Sequence, residues 1–318
     1  MHFKYLLLAA ALGVVASAQS LMEALASQNT SLSALNGLLA TQPDLLSSLG
    51  NATNITILAP SNEALTTFLN STAGMNTANI SGAVTALLQY HVLNGTYHNF
   101  TTRPEFIPTM LSNATLANVT GGQRVEATRN GTNVTFLSGL VERSLVSQAN
   151  INFTGGTIHI IDHVLTIPDS VSSTAVAANL TSLIGALTQL NSVNSVNALR
   201  DVTIFAPSNA AFQNIGSALS NLTTEQLTGI VEYHVVNGTV GYSSSLSNET
   251  LTTLGGKQIT CPQPKQHKRN PRTNRKRHLS RLLRRQLRLF STVYFWYFGN
   301  DDDYRRPDWC GRRSYDVD

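Results

Sequence analysis

Apolar and polar positions between residues 54 and 168 change period along the chain. Thr56-Ile-Leu-Ala59 is a short apolar run that predicts a strand with Ile57 buried. Pro60 ends it, because proline has no N–H to give to a ladder. Ser61 or Asn62 is placed to cap a following helix that points Leu65 and Phe68 inward. Ala83 to Tyr90 carries Val84, Leu87 and Leu88 on one side, the spacing of a half-buried helix. Val92-Leu93 then runs into Asn94-Gly95, a turn dipeptide. From Val125 to Phe136 the positions partly alternate about Asn130-Gly131, which predicts a hairpin with a two-residue turn there. Gly155 to Leu165 predicts a closing strand, stopped by Pro168. Helices early and strands late form an α+β pattern.

The pattern occurs twice. Asn54-Ile-Thr-Ile-Leu-Ala-Pro-Ser-Asn-Glu-Ala-Leu65 matches Asp201-Val-Thr-Ile-Phe-Ala-Pro-Ser-Asn-Ala-Ala-Phe212, and Gln89-Tyr-His-Val-Leu-Asn-Gly95 matches Glu232-Tyr-His-Val-Val-Asn-Gly238. Gly121-Gly122 matches Gly255-Gly256 more loosely. Order is kept while the offset drifts by a few residues, which marks a duplicated domain rather than a short-period solenoid. The second copy stops matching near Thr260, with no counterpart of Ile158-His-Ile-Ile-Asp-His-Val-Leu165. Its closing strand is therefore expected to be missing, which leaves strand edges open.

The three blocks together, strand-A-P-S-N-x-A, then Y-H-V-x-N-G, then G-G-T-I-H-I-I-D-x-V-L, resemble the fasciclin (FAS1) domain. The resemblance covers all of copy one and the first half of copy two. It implies an α+β wedge of β-strands with flanking α-helices, in tandem, with the second copy truncated. It also implies a non-catalytic, extracellular adhesion or cell-wall and matrix-organising role. The implied partners are cell-surface or matrix proteins or polysaccharide, with no cofactor. Fungal members of the family are also found in the vacuole, which stands as an alternative location.

The first residues change the picture of where the chain acts. Lys4, the apolar run Tyr5 to Val15 and Ala16-Ser17-Ala18 form a secretory signal peptide, with cleavage expected between Ala18 and Gln19. Asn-x-Ser/Thr acceptors begin at Asn29, Asn51, Asn54, Asn70, Asn79, Asn94, Asn99, Asn113, Asn118, Asn130, Asn133, Asn152, Asn179, Asn221, Asn237 and Asn248. Chance would give about six. The excess points to a secreted glycoprotein, and glycans account for the solubility of a chain with only 13% charged residues. Two cysteines exclude a disulfide scaffold or a cysteine zinc module. No apolar run reaches the ~18 residues of a membrane span.

Charge divides the chain near residue 260. Residues 1–260 hold seven Lys/Arg and twelve Asp/Glu, a net charge of −5; residues 261–318 hold fifteen and six, a net charge of +9. Organisation is therefore expected as signal peptide 1–18, fasciclin domain 19–168, incomplete domain 169–260 and basic disordered tail 261–318. No nucleic-acid partner is expected, because a secreted chain does not normally meet one. The acceptor sites stop where Arg, Trp and Cys begin, so the tail reads as the product of a frame shift or mis-splicing, with electrostatic binding to anionic polysaccharide or lipid headgroups as the alternative. The apolar stretch from Leu287 is followed by Asp301-Asp-Asp303, unlike a lipid-anchor signal.

Candidate chemistry is sparse. Tyr90-His91 and Tyr233-His234 repeat, and the family's Tyr-His block lies in a region implicated in cell binding; the competing reading is a pair of buried, satisfied polar groups. His159 and His163 share a strand face but stand ~13 Å apart, too far for one metal ion. Glu63, Glu126, Glu142, Asp162, Asp201 and Glu232 are scattered, and no nucleophile, phosphate-loop or zinc-hydrolase motif occurs. A secreted polysaccharide hydrolase built on two of these carboxylates is the alternative function.

Overall fold

The computed structural model describes residues 19–112, 114–219 and 221–261, together with the backbone of 294–295. The signal peptide and almost all of the basic tail lie outside the described residues. Copy one opens with three helices, α1 (Leu21–Ser27), α2 (Asn29–Ala40) and α3 (Pro43–Asn51). Strand β1 (Ile55–Pro60) and helices α4 (Asn62–Leu69), α5 (Thr72–Asn79) and α6 (Ala83–Tyr90) follow. The second half is β2 (Val92–Asn94), β3 (Glu105–Pro108), short α7 (Ala114–Ala117), β4 (Arg124–Asn130), β5 (Asn133–Leu137), β6 (Arg143–Phe153) and β7 (Gly156–Ile161).

All seven strands join one sheet in the order β2-β1-β7-β6-β5-β4-β3. The closing strand β7 thus sits inside the sheet, parallel to β1 from Ile55↔Gly156 to Pro60↔Ile161 and antiparallel to β6. All six residues of β1 are buried, not Ile57 alone. Apolar packing covers both faces, with Ile55, Ile57 and Ala59 in the helix-side core and Leu58 in the second core among Phe100, Val125, Phe136 and Ile161. A strand buried on both faces reads as a continuous apolar run. Gly156 makes the β1–β7 approach possible: its φ is +157° and a Cβ there would collide with the Ile55 carbonyl. The hairpin turn lies one residue later than expected. Asn130 pairs with Asn133, so Gly131, at φ +64°, and Thr132 make the turn.

Copy two repeats the first half as α8 (Val171–Ala177), α9 (Thr181–Gln189), α10 (Val193–Asn197), β8 (Thr203–Ile204), α11 (Asn209–Asn214), α12 (Gly216–Leu219), α13 (Thr224–Tyr233) and β9 (Val235–Val236). A separate hairpin, β10 (Glu249–Thr252) with β11 (Gln258–Cys261), follows. The edge of β8 expected to stand open is paired over two residues. Strand β12 (Tyr294–Phe295) lies parallel to it, Tyr294 opposite Thr203 and Phe295 opposite Ile204.

The shared A-P-S-N block has one local logic in both copies. Ser61 Oγ accepts the Ala64 N–H at 3.2 Å, and Ser208 Oγ accepts the Ala211 N–H at 2.9 Å, so serine is the cap. Asparagine does other work. Asn62 Oδ1 accepts the Ala34 N–H at 2.8 Å while its Nδ2 donates to the Thr30 carbonyl at 2.9 Å, pinning α4 to α2. Asn209 does the same with the Ser182 N–H at 2.9 Å and the Asn179 carbonyl at 2.8 Å.

Candidate functional site

The repeated Tyr-His block ends the last helix before the sheet resumes, α6 in copy one and α13 in copy two. In copy one both side chains are interior. Tyr90 is fully buried, and its hydroxyl donates to the Arg124 carbonyl at 3.1 Å. His91 is 3% exposed. Its Nε2 lies 2.8 Å from the Leu165 backbone nitrogen, which can only donate, so Nε2 is bare. The ring proton is then on Nδ1, donated to the Leu87 carbonyl at 2.7 Å. Burial pushes the His91 pKa down to about 4, against the opposing pull of the Leu87 carbonyl. The ring is a neutral tie between the end of α6 and the segment leaving β7, and a partner cannot reach it.

In copy two the same block lies near the surface. His234 keeps the local contact, with Nδ1 donating to the Ile230 carbonyl at 2.7 Å. Phe205 N–H still donates to the His234 carbonyl at 2.8 Å, as Leu58 N–H does to that of His91. Tyr233 is 39% exposed where Tyr90 is fully buried. The difference follows from what covers the helix. Tyr90 packs with Phe100, Ile107, Phe136 and Leu165 from the second half of its domain. The matching cluster in copy two, among the described residues, is Phe205, Val236, Leu246, Leu251 and Cys261, and does not include Tyr233.

The remaining candidates separate in space. His159 is 1% exposed on β7. The Asn150 N–H donates to its Nδ1 at 3.1 Å, which leaves Nε2–H to donate to the Tyr97 carbonyl at 2.8 Å. Burial lowers its pKa. The sequence considered His159 only as a metal ligand. Its structural work is to hold the irregular part of β6, where Asn150 has φ +61° within the register shift between Gln148 and Ile151. His163 lies past the strand end, its side chain 61% exposed, and pairs with Asp162 at 2.8 Å. Asp162 Oδ1 also accepts the Leu145 N–H at 2.6 Å. Among the described residues no group of three His, Cys, Asp or Glu side chains is arranged to hold a metal ion.

Asp201, one of the acids scattered along the sequence, joins the two copies. Its carboxylate accepts both the Thr120 N–H and the Thr120 hydroxyl at 2.6 Å. Its own N–H donates to the Asn118 carbonyl at 3.2 Å. Nearby, the Tyr242 ring of copy two stands 5.0 Å from the Phe106 ring, with the Arg124 guanidinium 5.0 Å over it. Glu126 is on the same sheet face, directly opposite Phe106 on β3 and Leu137 on β5. Burial raises its pKa to about 7, opposed by the charge of Arg143. This carboxyl can hold a proton near neutrality, but its neighbours across the strands are apolar rather than a second acid.

The acceptor asparagines share one property. Of the fifteen within the described residues, Asn29, Asn51, Asn54, Asn70, Asn79, Asn94, Asn99, Asn130, Asn133, Asn152, Asn179, Asn221, Asn237 and Asn248 are exposed. Asn118, beside the Asp201 junction, is half-buried, and Asn113 lies outside the described residues. Gln19, the expected mature N-terminus, is tied down: its Nε2 donates to the Asn152 carbonyl at 2.9 Å, and its carbonyl accepts the Thr154 N–H at 2.9 Å. No helix among the described residues is long and apolar enough to cross a membrane.

The family model of the fasciclin domain matches residues 30–168 and 178–271. A fasciclin-like arabinogalactan protein of Arthroderma benhamiae is 34% identical over 259 residues, covering 80% of this chain and 61% of the relative, so the chain spans about three fifths of that protein's length. The fasciclin-like arabinogalactan protein CTB11 of Cercospora beticola is 33% identical, covering 81% of this chain and 71% of its own. Human periostin is 28% identical over 68% of this chain and 24% of its own. A solved fasciclin domain pair from the insect cell adhesion molecule Fasciclin I has a TM-score of 0.39 and 20% identity, covering 76% of this chain and 86% of that one. With two matched segments in tandem and relatives above 30% identity, the chain belongs to the fasciclin domain family.

Proposed function

We propose that the chain is a secreted, N-glycosylated binding protein of the cell surface, wall or matrix, and that it works without catalysis. The observation that carries this reading is the outward display of the acceptor asparagines. Fourteen of the fifteen described are exposed, spread over helices, strand ends and turns of both copies. An oligosaccharyltransferase needs accessible acceptors, and a coat of neutral glycans suits a body poor in charge. Family membership supports an adhesion-type role, and the fungal relatives, fasciclin-like arabinogalactan proteins, favour the extracellular or wall setting.

Partner contact is assigned to the exposed surface and not to Tyr90 and His91, which are interior. The partners proposed are wall or matrix polysaccharide and matrix protein. The test uses full-length protein secreted from a eukaryotic host and passed over insoluble wall polysaccharide and over immobilised collagenous matrix. Retention on either, with polymer length unchanged after prolonged incubation, is the expected result. Release of oligosaccharides would establish a hydrolase instead. Passage through both supports, with the protein held in the vacuole in cells, would favour the vacuolar alternative.

A further inference from the structure

We infer that copy two binds a neutral saccharide in the cleft between α9, α11 and α13. The inference rests on the polysaccharide partner of the proposed function and gives that partner a place on the chain.

The cleft encloses about 350 Å³, at the small end of the ~300–1,000 Å³ usual for ligand pockets. Ser182, Gly185, Ala186 and Gln189 form one wall, at the spacing of a single face of α9. Phe212 and Gln213 of α11 and Leu227 of α13 form the rest. A Cβ added at Gly185 would meet nothing within 4 Å, so the space over that helix is open.

Copy one differs at the floor and at the rim. The bonds from Ala34 N–H to Asn62 and from Ser182 N–H to Asn209 set α2 and α9 in the same register. Leu38 therefore stands where copy two has Ala186, and Thr41 where it has Gln189. Leu38, Phe68 and Val84 pack against the helix-side core of copy one. The smaller Ala186 leaves the floor of the cleft open, and Ile215, the counterpart of Phe68, is 44% exposed. At the rim, the Thr41 and Thr66 hydroxyls donate to the Leu38 and Asn62 carbonyls. Their counterparts Gln189 and Gln213 are longer, and among the described residues their side-chain amides bond no protein group.

The lining chemistry selects the ligand. None of the lining side chains is ionisable, so a charged group entering the cleft would find no counter-charge. The two free amides each offer donors and an acceptor, and Ser182 adds a hydroxyl. That set matches the hydroxyls of a sugar, which donate and accept at once. Phe212 gives a flat apolar surface for the C–H face of a pyranose ring. A lipid chain would cover the amides without pairing them.

The test titrates secreted full-length protein, its N-glycans trimmed to single sugars, with neutral β-glucan and β-galactan hexasaccharides. Calorimetry reads the affinity, and NMR reads the Gln189 and Gln213 side-chain amides. Saturable shifts of both amides with at least one sugar are expected. Gly185→Leu projects into the open space, and Ala186→Leu and Phe212→Leu restore the residues of copy one. Each leucine on α9 should raise Kd at least about tenfold, and Phe212→Leu about threefold, with the thermal unfolding midpoint retained. Unchanged affinity in both α9 variants would overturn the site. So would retention on insoluble wall polysaccharide without any shift of the two amides; either result leaves the polysaccharide reading of the chain standing. No binding to the hexasaccharides or to wall polysaccharide would overturn both. Equal affinity for a sulfated hexasaccharide would overturn the neutral class. Retention on collagenous matrix that is lost in Gly185→Leu, with no response to sugar, would assign the cleft to protein instead. Amide shifts on trimming the chain's own N-glycans, before any sugar is added, would show the cleft filled from within and would also overturn the inference.

Discussion

His91 and Leu165 are joined across the core of copy one: the Leu165 backbone N–H donates to His91 Nε2 at 2.8 Å. The bond ties the helix before β2 to the segment after β7, 74 residues apart in sequence. It also fixes the tautomer, and with both ring nitrogens used the neutral ring is satisfied inside the core.

Replacing His91 with alanine leaves the Leu165 N–H without its acceptor and opens a cavity. A loss of about 2–4 kcal/mol is expected for copy one, read from denaturant dependence of exchange at the Leu165 amide. His234→Ala should cost less than half as much, because that ring is not enclosed. The pH dependence has a definite sign. The folded pKa of about 4 lies below the unfolded 6.5. Stability is therefore full above pH 6.5 and falls as pH drops from 6.5 towards 4, where the unfolded chain takes the proton first. His91→Gln should flatten that part of the curve.

Glu126 behaves in the opposite direction. Its pKa of about 7 in the folded chain lies above the 4.5 of a free glutamate, so its contribution is fully present below pH 4.5 and lost as pH rises through 7. Glu126→Gln removes the charge while keeping the shape. The variant should match the wild type below pH 4.5 and unfold at a higher temperature above pH 7. Equal melting temperatures at pH 8 would show that the carboxyl is not held back from ionising.

Asn62 supplies one acceptor and one donor to α2, and Asn209 one acceptor to α9 and one donor to the Asn179 carbonyl just before it. Aspartate keeps the acceptor and loses the donor. Asn62→Asp and Asn209→Asp should each destabilise their own copy by about 1–3 kcal/mol, measured by urea unfolding of the two copies followed by residue-resolved NMR. Serine at these positions, too short to span both contacts, should be no better.

Asp201 holds the two copies together through Thr120. The contact is solvent-accessible, so Asp201→Ala should cost only about 1 kcal/mol of stability. Its effect should appear in geometry instead. Small-angle scattering should show a larger radius of gyration, and weaker contacts between Tyr242 and Phe106 should appear by NMR.

Secreted protein should begin at Gln19 by N-terminal sequencing and should lose apparent mass on enzymatic removal of N-glycans. Peptide mapping should find Asn118 the least occupied of the described acceptors. Its backbone has φ +53°, it is half-buried, and the Thr120 hydroxyl of its acceptor motif is bonded to Asp201. Heavy occupancy at Asn118 would mean that the junction between copies forms after glycosylation or not at all.

Local patterns determined a large share of this protein. The strand at Thr56, a helix cap at Ser61 or Asn62, the helix ending in Tyr90, the strand from Gly156 and the duplication are all readable because spacing, caps and proline stops act within a few residues. The acceptor motifs are equally local. Tertiary structure alone decided the rest, because identical short blocks met different surroundings. Tyr90-His91 and Tyr233-His234 have the same residues and the same helical position, yet one pair is sealed by Phe100, Phe136 and Leu165 and the other is not. Asp201 and Thr120 are 81 residues apart, and no periodicity announces their pairing. Nor does any pattern show that Asn62 leaves the cap to Ser61 and pins α2 instead. Such pairings depend on which chain segments the sheet order brings together, and that order is a property of the whole fold.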